Sequence, residues 1–370
     1  MTLLIVVLVF GGMVFLHEFG HFMAARFFNI EVEEFGFGLP PRILTMFKWK
    51  GTEFTLNALP VGGFVRPKGE NDPTIPDGLA AANPWKRLGV LFAGPFMNLL
   101  TAMVVMSIII AQEGIGVEGK VLISSVSDNS PAQLAGIQAN DILLAVNGKS
   151  VSTLDAARAL IHLGVDTPIE LTLDRSGAQI KLTATPLSSR PAEQGALGVG
   201  LAYPRRAATI GEAISGGFSY TGSQALSILY LPIGLVQGVI APNQARLIGL
   251  KGIYDIFGQA VQRDVQSRQP LAPAATNTSS QAAQPTQEPT NYILSIVAML
   301  SVSLAVFNLL PIPALDGGRI LFTLPEIILR RRIPYKLENT INGVAMLLLI
   351  ALMVFINAMD FINPANVKLP

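Results

Sequence analysis

Cysteine is absent from the 370-residue chain, and charged residues make up only 14% of it. The lack of cysteine excludes disulfide-stapled scaffolds, thiolate zinc sites, thiol nucleophiles and iron–sulfur ligation. Soluble domains carry about 25% charged residues, so the low charge indicates a chain that is not soluble throughout. A formal net charge of +1 gives no electrostatic reason to expect nucleic-acid binding.

Apolar residues are instead abundant, at 50% of the chain, and they are concentrated in long runs without a formal charge. These runs cover residues 1–16, 88–111, 292–315 and 339–359. Apolar runs of about 20 residues can cross a lipid bilayer. The sequence therefore predicts a polytopic α-helical membrane protein, with transmembrane helices at 1–29, 87–112, 291–315 and 339–360.

Basic residues predict how the helices are oriented. Arg26 follows the first helix, Lys86 and Arg87 precede the second, and Arg330–Arg332 lie between the third and the fourth. Short loops rich in Lys and Arg face the cytoplasm. We therefore expect residues 30–86 and a basic loop at 316–338 on the cytoplasmic side, and the long central region on the opposite side.

The regions between the helices differ in pattern. Residues 30–86 contain three strand-like stretches, at 32–38, 42–49 and 53–56, separated by Pro-Pro and Lys-Gly turns. Residues 113–203 combine strand-like runs with a helical run at 154–163, which predicts an α+β module. The alternative for residues 30–86 is a plain cytoplasmic loop.

The rest of the central region is less regular. We expect extracytoplasmic amphipathic helices at 204–262, because the uncharged stretch 213–245 is interrupted by Gly and Pro. A pair of interfacial helices is favoured there over a fifth membrane span. Residues 263–290 are rich in Gln, Pro, Ala, Ser and Thr, a composition that cannot bury a core and predicts a disordered insert.

The sharpest chemical motif lies inside the first apolar segment, in His17-Glu18-Phe19-Gly20-His21. On a helix, positions i and i+4 share one face, so both imidazoles can reach one zinc ion. Glu18 lies beside them, where a general base is needed. Ionisable side chains are costly in a membrane and usually functional. The alternative is a pair of histidines satisfied by neighbouring helices.

A tetrahedral zinc site needs a third protein ligand. The remaining histidine, His162, belongs to the α+β module, so a carboxylate is expected. Asp316 follows the third apolar segment at the same predicted depth as His17 and His21, which favours it as the ligand. The alternative for Asp316 is an Asp-Gly turn that ends a helix.

These motifs resemble the site-2 protease family of intramembrane zinc metalloproteases, and in particular the regulator-of-sigma-E type. The resemblance rests on residues 17–21, on Asn308, Pro311, Pro313 and Leu315-Asp316-Gly317 after the third helix, on 94–98 in the second helix, and on 62–65. It extends over nearly the whole chain. It implies a membrane-associated β-hairpin region at 30–86 whose edge captures an unwound substrate by strand addition.

The resemblance also implies roles for individual residues. His17, His21 and Asp316 would bind Zn²⁺, the only cofactor expected, and Glu18 would be the catalytic general base. The substrates would be single-span membrane proteins, such as anti-sigma factors, in a bacterial inner membrane or a plastid-type membrane, with the active site near the cytoplasmic face.

Four further residues are candidates for substrate positioning or for support of the ligands. Asn98 could hold the substrate backbone or a developing oxyanion, or it could only bond a neighbouring helix. Asn308 could support Asp316 from the same helix. Pro311 and Pro313 break the helix, which frees main chain that must then line a protein cavity.

The module at 113–203 resembles a PDZ domain, through the segments 126–132, 135–137, 141–143, 146–148 and 197–200. It is expected to bind peptide termini or to act as a size filter. Two other functions remain open from the sequence. One is a catalytically inactive membrane scaffold, and the other is an ion-coupled transporter, which the lack of internal repeats disfavours.

Overall fold

The computed structural model describes residues 2–189, 195–239, 248–268 and 291–363. The chain divides into two compact units, of which the second is built on Ile110–Thr209 and the first on the parts of the chain before and after it.

The elements are numbered in chain order. The helices are α1 (Thr2–Phe27), α2 (Pro84–Glu113), α3 (Pro131–Leu134), α4 (Leu154–Leu163), α5 (Ile210–Val236), α6 (Leu250–Arg268), α7 (Tyr292–Leu309), α8 (Asp316–Leu329) and α9 (Tyr335–Ile362). The strands are β1 (Val32–Trp49), β2 (Thr52–Pro67), β3 (Ile115–Gly116), β4 (Val121–Val126), β5 (Ile142–Val146), β6 (Lys149–Ser150), β7 (Ile169–Arg175), β8 (Ala178–Ala184), β9 (Val199–Ala202) and β10 (Arg205–Arg206).

Four of the described helices, α1, α2, α7 and α9, are long and apolar enough to cross a membrane. They correspond to the four apolar segments of the sequence, and the prediction of a polytopic membrane protein is confirmed. Their surfaces carry many exposed large apolar side chains, such as Leu347 and Phe355 on α9. Exposed apolar surface of this kind is stable only against lipid or another protein.

The β-rich region of the first unit is a bent hairpin. Phe35 of β1 pairs with both Phe54 and Val65 of β2, so each long strand folds back within one antiparallel sheet. Residues 62–67 form the fourth stretch of that sheet, which was not predicted to be a strand. The ring of Phe35 is buried against the rings of Phe22 and Phe54, which fixes the sheet to α1.

The predicted basic loop at 316–338 is wrong, because Asp316–Leu329 forms helix α8. One side of α8 is polar, because it carries Arg319, Thr323 and Glu326 at helical spacing. This side contacts other elements of the first unit. The Glu326 carboxylate lies 2.9 Å from a guanidinium nitrogen of the buried Arg87 in α2. The third apolar helix is also shorter than predicted, since α7 ends at Leu309 just before Pro311 and Pro313.

Two predictions for the region before α7 are corrected. The region 204–262 contains α5 and most of α6. The pair of helices predicted within 213–245 is wrong for the described part of that stretch, because Ile210–Val236 is one continuous helix; residues 240–247 lie outside the described part of the chain. The insert predicted at 263–290 begins too early, because α6 continues to Arg268. The buried Asp264 of α6 explains this extension, since its carboxylate accepts a hydrogen bond from the main-chain N–H of Tyr292 at the start of α7. Residues 269–290 lie outside the described part of the chain.

The second unit is an α+β fold with a six-stranded sheet in the order β8-β7-β5-β4-β9, in which β6 pairs with β5. Alternate residues of β7 are fully buried, including Ile169, Leu171 and Leu173, as expected for a strand that covers a core. Helix α4 closes this core through Ala157 and Ile161. Thr153 caps the start of this helix, because its hydroxyl accepts a hydrogen bond from the N–H of Ala156.

Candidate metal centre

Three potential metal ligands meet inside the first unit. The Nε2 atoms of His17 and His21 are 3.1 Å apart, and they lie 3.1 Å and 3.4 Å respectively from Oδ2 of Asp316. One ligand atom from each residue lies within 4.8 Å of the others. Among the described residues, this is the group of histidines and carboxylates that could hold one metal ion.

Two separate parts of the chain supply the ligands. Helix α1 places His17 and His21 one turn apart on the same face, and Asp316 is the first residue of α8. Burial opposes ionisation of Asp316, but hydrogen bonds from His17 and His21 outweigh it and hold the pKa of this carboxyl below its ordinary value. These hydrogen bonds use protons on the Nε2 atoms of the histidines, and a metal ion would take the place of those protons when it binds the three ligand atoms.

Helix α2 orients His21. The Nδ1 atom of His21 donates a hydrogen bond of 2.7 Å to the main-chain carbonyl of Val90. Pro95 in the same helix has no N–H, so the carbonyl that loses its helical hydrogen bond is that of Leu91, next to Val90. With the proton on Nδ1, Nε2 is left free as a metal ligand.

Gly94 creates the space in which the two ligand atoms meet. A Cβ atom at this position would lie 2.3 Å from Nε2 of His21 and 2.8 Å from Nε2 of His17. Gly20 has a related role between the helices, because a Cβ there would lie 2.3 Å from the carbonyl oxygen of Ala93. These two glycines let α1 and α2 approach closely enough for the imidazoles to be held side by side.

Asn98 completes the surroundings of His17. It is fully buried, and its Nδ2 atom lies 3.0 Å from Nδ1 of His17, while its Oδ1 atom has no hydrogen-bond partner among the described residues. A metal on Nε2 of His17 requires a proton on Nδ1. If the Asn98 amide is rotated by 180°, its Oδ1 atom faces Nδ1 of His17 and can accept that proton. The same rotation gives Oδ1 a hydrogen-bond partner. The residues present therefore fit a metal ion.

Glu18 lies next to the ligands but bonds to a different element. Its Oε2 atom accepts a hydrogen bond of 3.1 Å from the main-chain N–H of Val65 in β2. A cavity of about 480 Å³ opens at this point. The cavity is lined by the three potential ligands, by Glu18, and by the last strand stretch of β2, from Phe64 to Pro67.

The chain between α7 and α8 is held by contacts that were not predicted from the sequence. A Cβ at Gly317 or Gly318 would lie within 2.4 Å of main-chain oxygens of residues 309–312, so the chain folds tightly onto the start of α8. The N–H of Ala314 donates to the side-chain oxygen of Asn342 in α9. These contacts set the position of Asp316 relative to α1.

The other predicted residues have mixed outcomes. Asn308 lines the cavity, but its amide donates to the carbonyl of Leu304 in its own helix, and no bond to Asp316 is found within the described residues. Pro311 and Pro313 lie in the break between α7 and α8, while Ala314 and Leu315 are the residues of this break that line the cavity. Val65 and Gly94 lie in segments that carry the family resemblance, but no role was predicted for them or for Val90. Val65 and Val90 act through main-chain groups, and Gly94 acts through its lack of a side chain.

A chain with four candidate membrane spans and a buried His-His-Asp cluster beside a glutamate is an integral-membrane metallopeptidase by its fold and site. The chain belongs to peptidase family M50, whose model matches residues 5–352. The resemblance to site-2 proteases is thereby confirmed, and the protein is a zinc metalloprotease.

Known relatives align with this chain over almost their full length. A protein of Clostridium perfringens is 34% identical over 366 residues, which cover 98% of this chain and 99% of the relative. One of Campylobacter jejuni is 34% identical over 360 residues, 94% of this chain and 90% of the relative. One of Clostridium acetobutylicum is 29% identical over 372 residues, 99% and 98% respectively. Each carries the name "putative zinc metalloprotease".

Proposed function

We propose that this zinc metalloprotease is an intramembrane endopeptidase that hydrolyses peptide bonds within or near the transmembrane segments of single-span membrane proteins. The observation that carries the proposal is the location of the ligand cluster. His17 and His21 lie on a candidate membrane span, and Asp316 reaches them from the helix that follows another. Anti-sigma factors are one substrate class that fits.

His17, His21 and Asp316 are proposed to hold the zinc ion, each through one atom. When bound, zinc acidifies a water molecule and polarises the carbonyl of the scissile bond. Asn98 and the Val90 carbonyl keep the protons of the two histidines on Nδ1, so that both Nε2 atoms remain available. Asn98 is thus proposed to be a positioning residue for His17, which is favoured over direct contact with the substrate.

Glu18 is proposed to be the general base. Its carboxylate lies beside the ligand cluster and faces the cavity, where it can accept a proton from the attacking water and pass it to the leaving nitrogen. The cavity has space for the short unwound segment that hydrolysis requires, because the amides of an intact helix are hidden in its own hydrogen bonds.

The exposed edge of the bent hairpin is proposed to hold that segment. Residues 62–67 end the sheet on the cavity side, and the pairing partner on their other side is β1. A substrate strand can therefore add to this edge through main-chain hydrogen bonds. Such pairing recognises an unwound backbone and tolerates many side chains.

The second unit is proposed to be a PDZ-like extracytoplasmic domain. Its six-stranded sheet, closed by α4, supports this assignment together with the turn motifs of its sequence. It would either bind peptide termini or exclude proteins with bulky outer domains. The basic residues near the ends of α1, α2 and α8 support an active site near the cytoplasmic face of a bacterial inner membrane.

Reconstitution with a fluorogenic transmembrane substrate tests the proposal. We expect Glu18→Gln to retain zinc and lose turnover by at least about 10³-fold, since the base is removed and the ligands are kept. Asp316→Asn should lose both zinc and activity. Zinc is measured by elemental analysis of the purified protein.

Glu170→Gln and Asp155→Asn make the same chemical changes on exposed positions of the second unit and should behave as wild type. Full activity of Glu18→Gln or of Asp316→Asn would contradict the assignment of the centre.

A further inference from the structure

The hydrogen bond between Glu18 and Val65 joins the proposed base to the proposed substrate edge. We propose that the main-chain N–H of Val65 is shared, holding Glu18 until a substrate strand takes the same N–H and releases the carboxylate to act as base. Val65 is then a positioning residue whose effect on Glu18 depends on substrate. This inference rests on the proposed function, in particular on strand addition to β2.

The geometry of β2 shows which main-chain groups a substrate can use. Peptide groups point alternately to the two sides of a strand. The N–H of Val65 points to Glu18 and away from β1, so the peptide groups of Gly63 and Pro67 also point away from β1. Those of Phe64 and Arg66 point towards β1.

The free side of this edge has few donors. Pro67 has no N–H, so of the outward positions 63, 65 and 67 only Gly63 and Val65 can donate. Glu18 already accepts from Val65. A substrate strand that pairs along the edge must either leave one carbonyl unpaired or displace Glu18. An unpaired buried polar group is costly, so displacement is favoured.

Displacement has a chemical consequence. While it accepts from Val65, the Oε2 atom of Glu18 is held at the strand edge. Release of Glu18 leaves both carboxylate oxygens free to turn towards the ligand cluster at the moment when a peptide bond is in place. When no unwound strand is present, the hydrogen bond holds Glu18 on Val65. Proton transfer by Glu18 is thereby coupled to strand addition.

The test compares three substitutions of Glu18. Glu18→Gln keeps an oxygen that can accept from Val65, Glu18→Ala has none, and Glu18→Asp is one methylene too short to reach. All three are expected to be inactive or nearly so, so binding can be measured without cleavage. The probe is a synthetic, fluorescently labelled single-span peptide that the wild type cleaves, followed by fluorescence anisotropy in detergent micelles.

We expect Glu18→Ala and Glu18→Asp to bind this peptide roughly two- to tenfold more tightly than Glu18→Gln, since the Val65 donor is already free. Equal affinities of the three variants would overturn the inference. If the wild type cleaves no transmembrane peptide and no variant binds one, the proposed function itself fails.

A second measurement needs no substrate and separates the two failures. Hydrogen–deuterium exchange of the segment 62–67 reports directly on the Val65 amide. We expect faster exchange of one amide in Glu18→Ala and Glu18→Asp than in Glu18→Gln and the wild type. Identical exchange in all four proteins would refute the shared donor, whatever the peptides do.

Discussion

The two compact units of the protein bury polar side chains for different purposes. In the second unit, a contiguous apolar core that includes Val121, Leu143 and Ile169 surrounds few polar groups. Among them, Asp141 is satisfied by a bidentate pair with Arg175. In the first unit, the buried Asn98 bonds to His17, and His17 in turn lines a cavity. Burial stabilises the fold in one unit and prepares a reaction in the other.

This difference predicts that activity and stability can be separated by mutation. The apolar core contributes to the free energy of unfolding roughly in proportion to the apolar area that it removes from water. The centre depends instead on distances of a few ångströms between a few polar atoms. Substitutions in the second unit should therefore leave the metal centre intact, and substitutions at the metal centre should leave the stability of the second unit intact. Three substitutions test this separation.

Of these three substitutions, Gly94→Ala is expected to have the largest effect. Its Cβ would overlap with Nε2 of both histidines, at 2.3 Å and 2.8 Å, so the ligand atoms cannot keep their positions. We expect loss of bound zinc and a fall in activity of at least about 100-fold. Elemental analysis and the transmembrane-peptide assay measure both.

Gly12→Ala is the matched control for Gly94→Ala. It lies in α1, and no atom of the described residues comes within 4 Å of the position that its new methyl group would take, so activity should not change. Normal zinc content in Gly94→Ala would show that the ligands do not meet at this glycine.

The next largest effect is expected from Leu143→Ala in the second unit. Leu143 is 1% exposed, and its truncation leaves a cavity that should cost about 2–5 kcal/mol of unfolding free energy. Hydrogen exchange of the peptides that contain β4, β5 and β7 reports this loss. Zinc content and cleavage of a peptide without an outer domain should stay within about twofold. Zinc loss in this variant would contradict the independence of the units.

The smallest effect is expected from Asn98→Leu, which removes the partner of His17 while it keeps a similar volume. Loss of such a partner typically weakens metal affinity by about 10–100-fold. Competition with a fluorescent chelator measures the change. Asn98→Asp, which retains an oxygen to accept from Nδ1, should recover most of the affinity. An unchanged affinity in Asn98→Leu would show that His17 needs no orientation from α2.

The residues of the proposed metal centre could be singled out because their signals are local. His17 and His21 are one helical turn apart, and an ionisable motif in an apolar segment is rarely structural. The four apolar spans also follow from composition, since a bilayer requires about 20 apolar residues for each. Asp316 needed one further argument, its depth relative to the histidines.

Other features could not be predicted because the groups involved carry no distinctive side chain. The carbonyl of Val90 and the N–H of Val65 look like any other main-chain groups in a sequence. Helix α8 was missed for a related reason. Its Gly317-Gly318 start and its basic end favour a loop. The ion pair of Glu326 with Arg87 indicates a helix, but these two residues are far apart in the sequence and meet only once the chain is folded.

The sequence by itself determined the membrane character of the protein, the HEFGH motif and the choice of a carboxylate as the proposed third ligand, because each depends on residue type and short-range spacing. Only the tertiary structure decided how the centre is assembled. From another helix, Gly94 leaves space for the histidines and Asn98 bonds to His17. From a strand edge, Val65 donates a hydrogen bond to Glu18. Distances between elements far apart in the chain arise from packing, which no local pattern encodes.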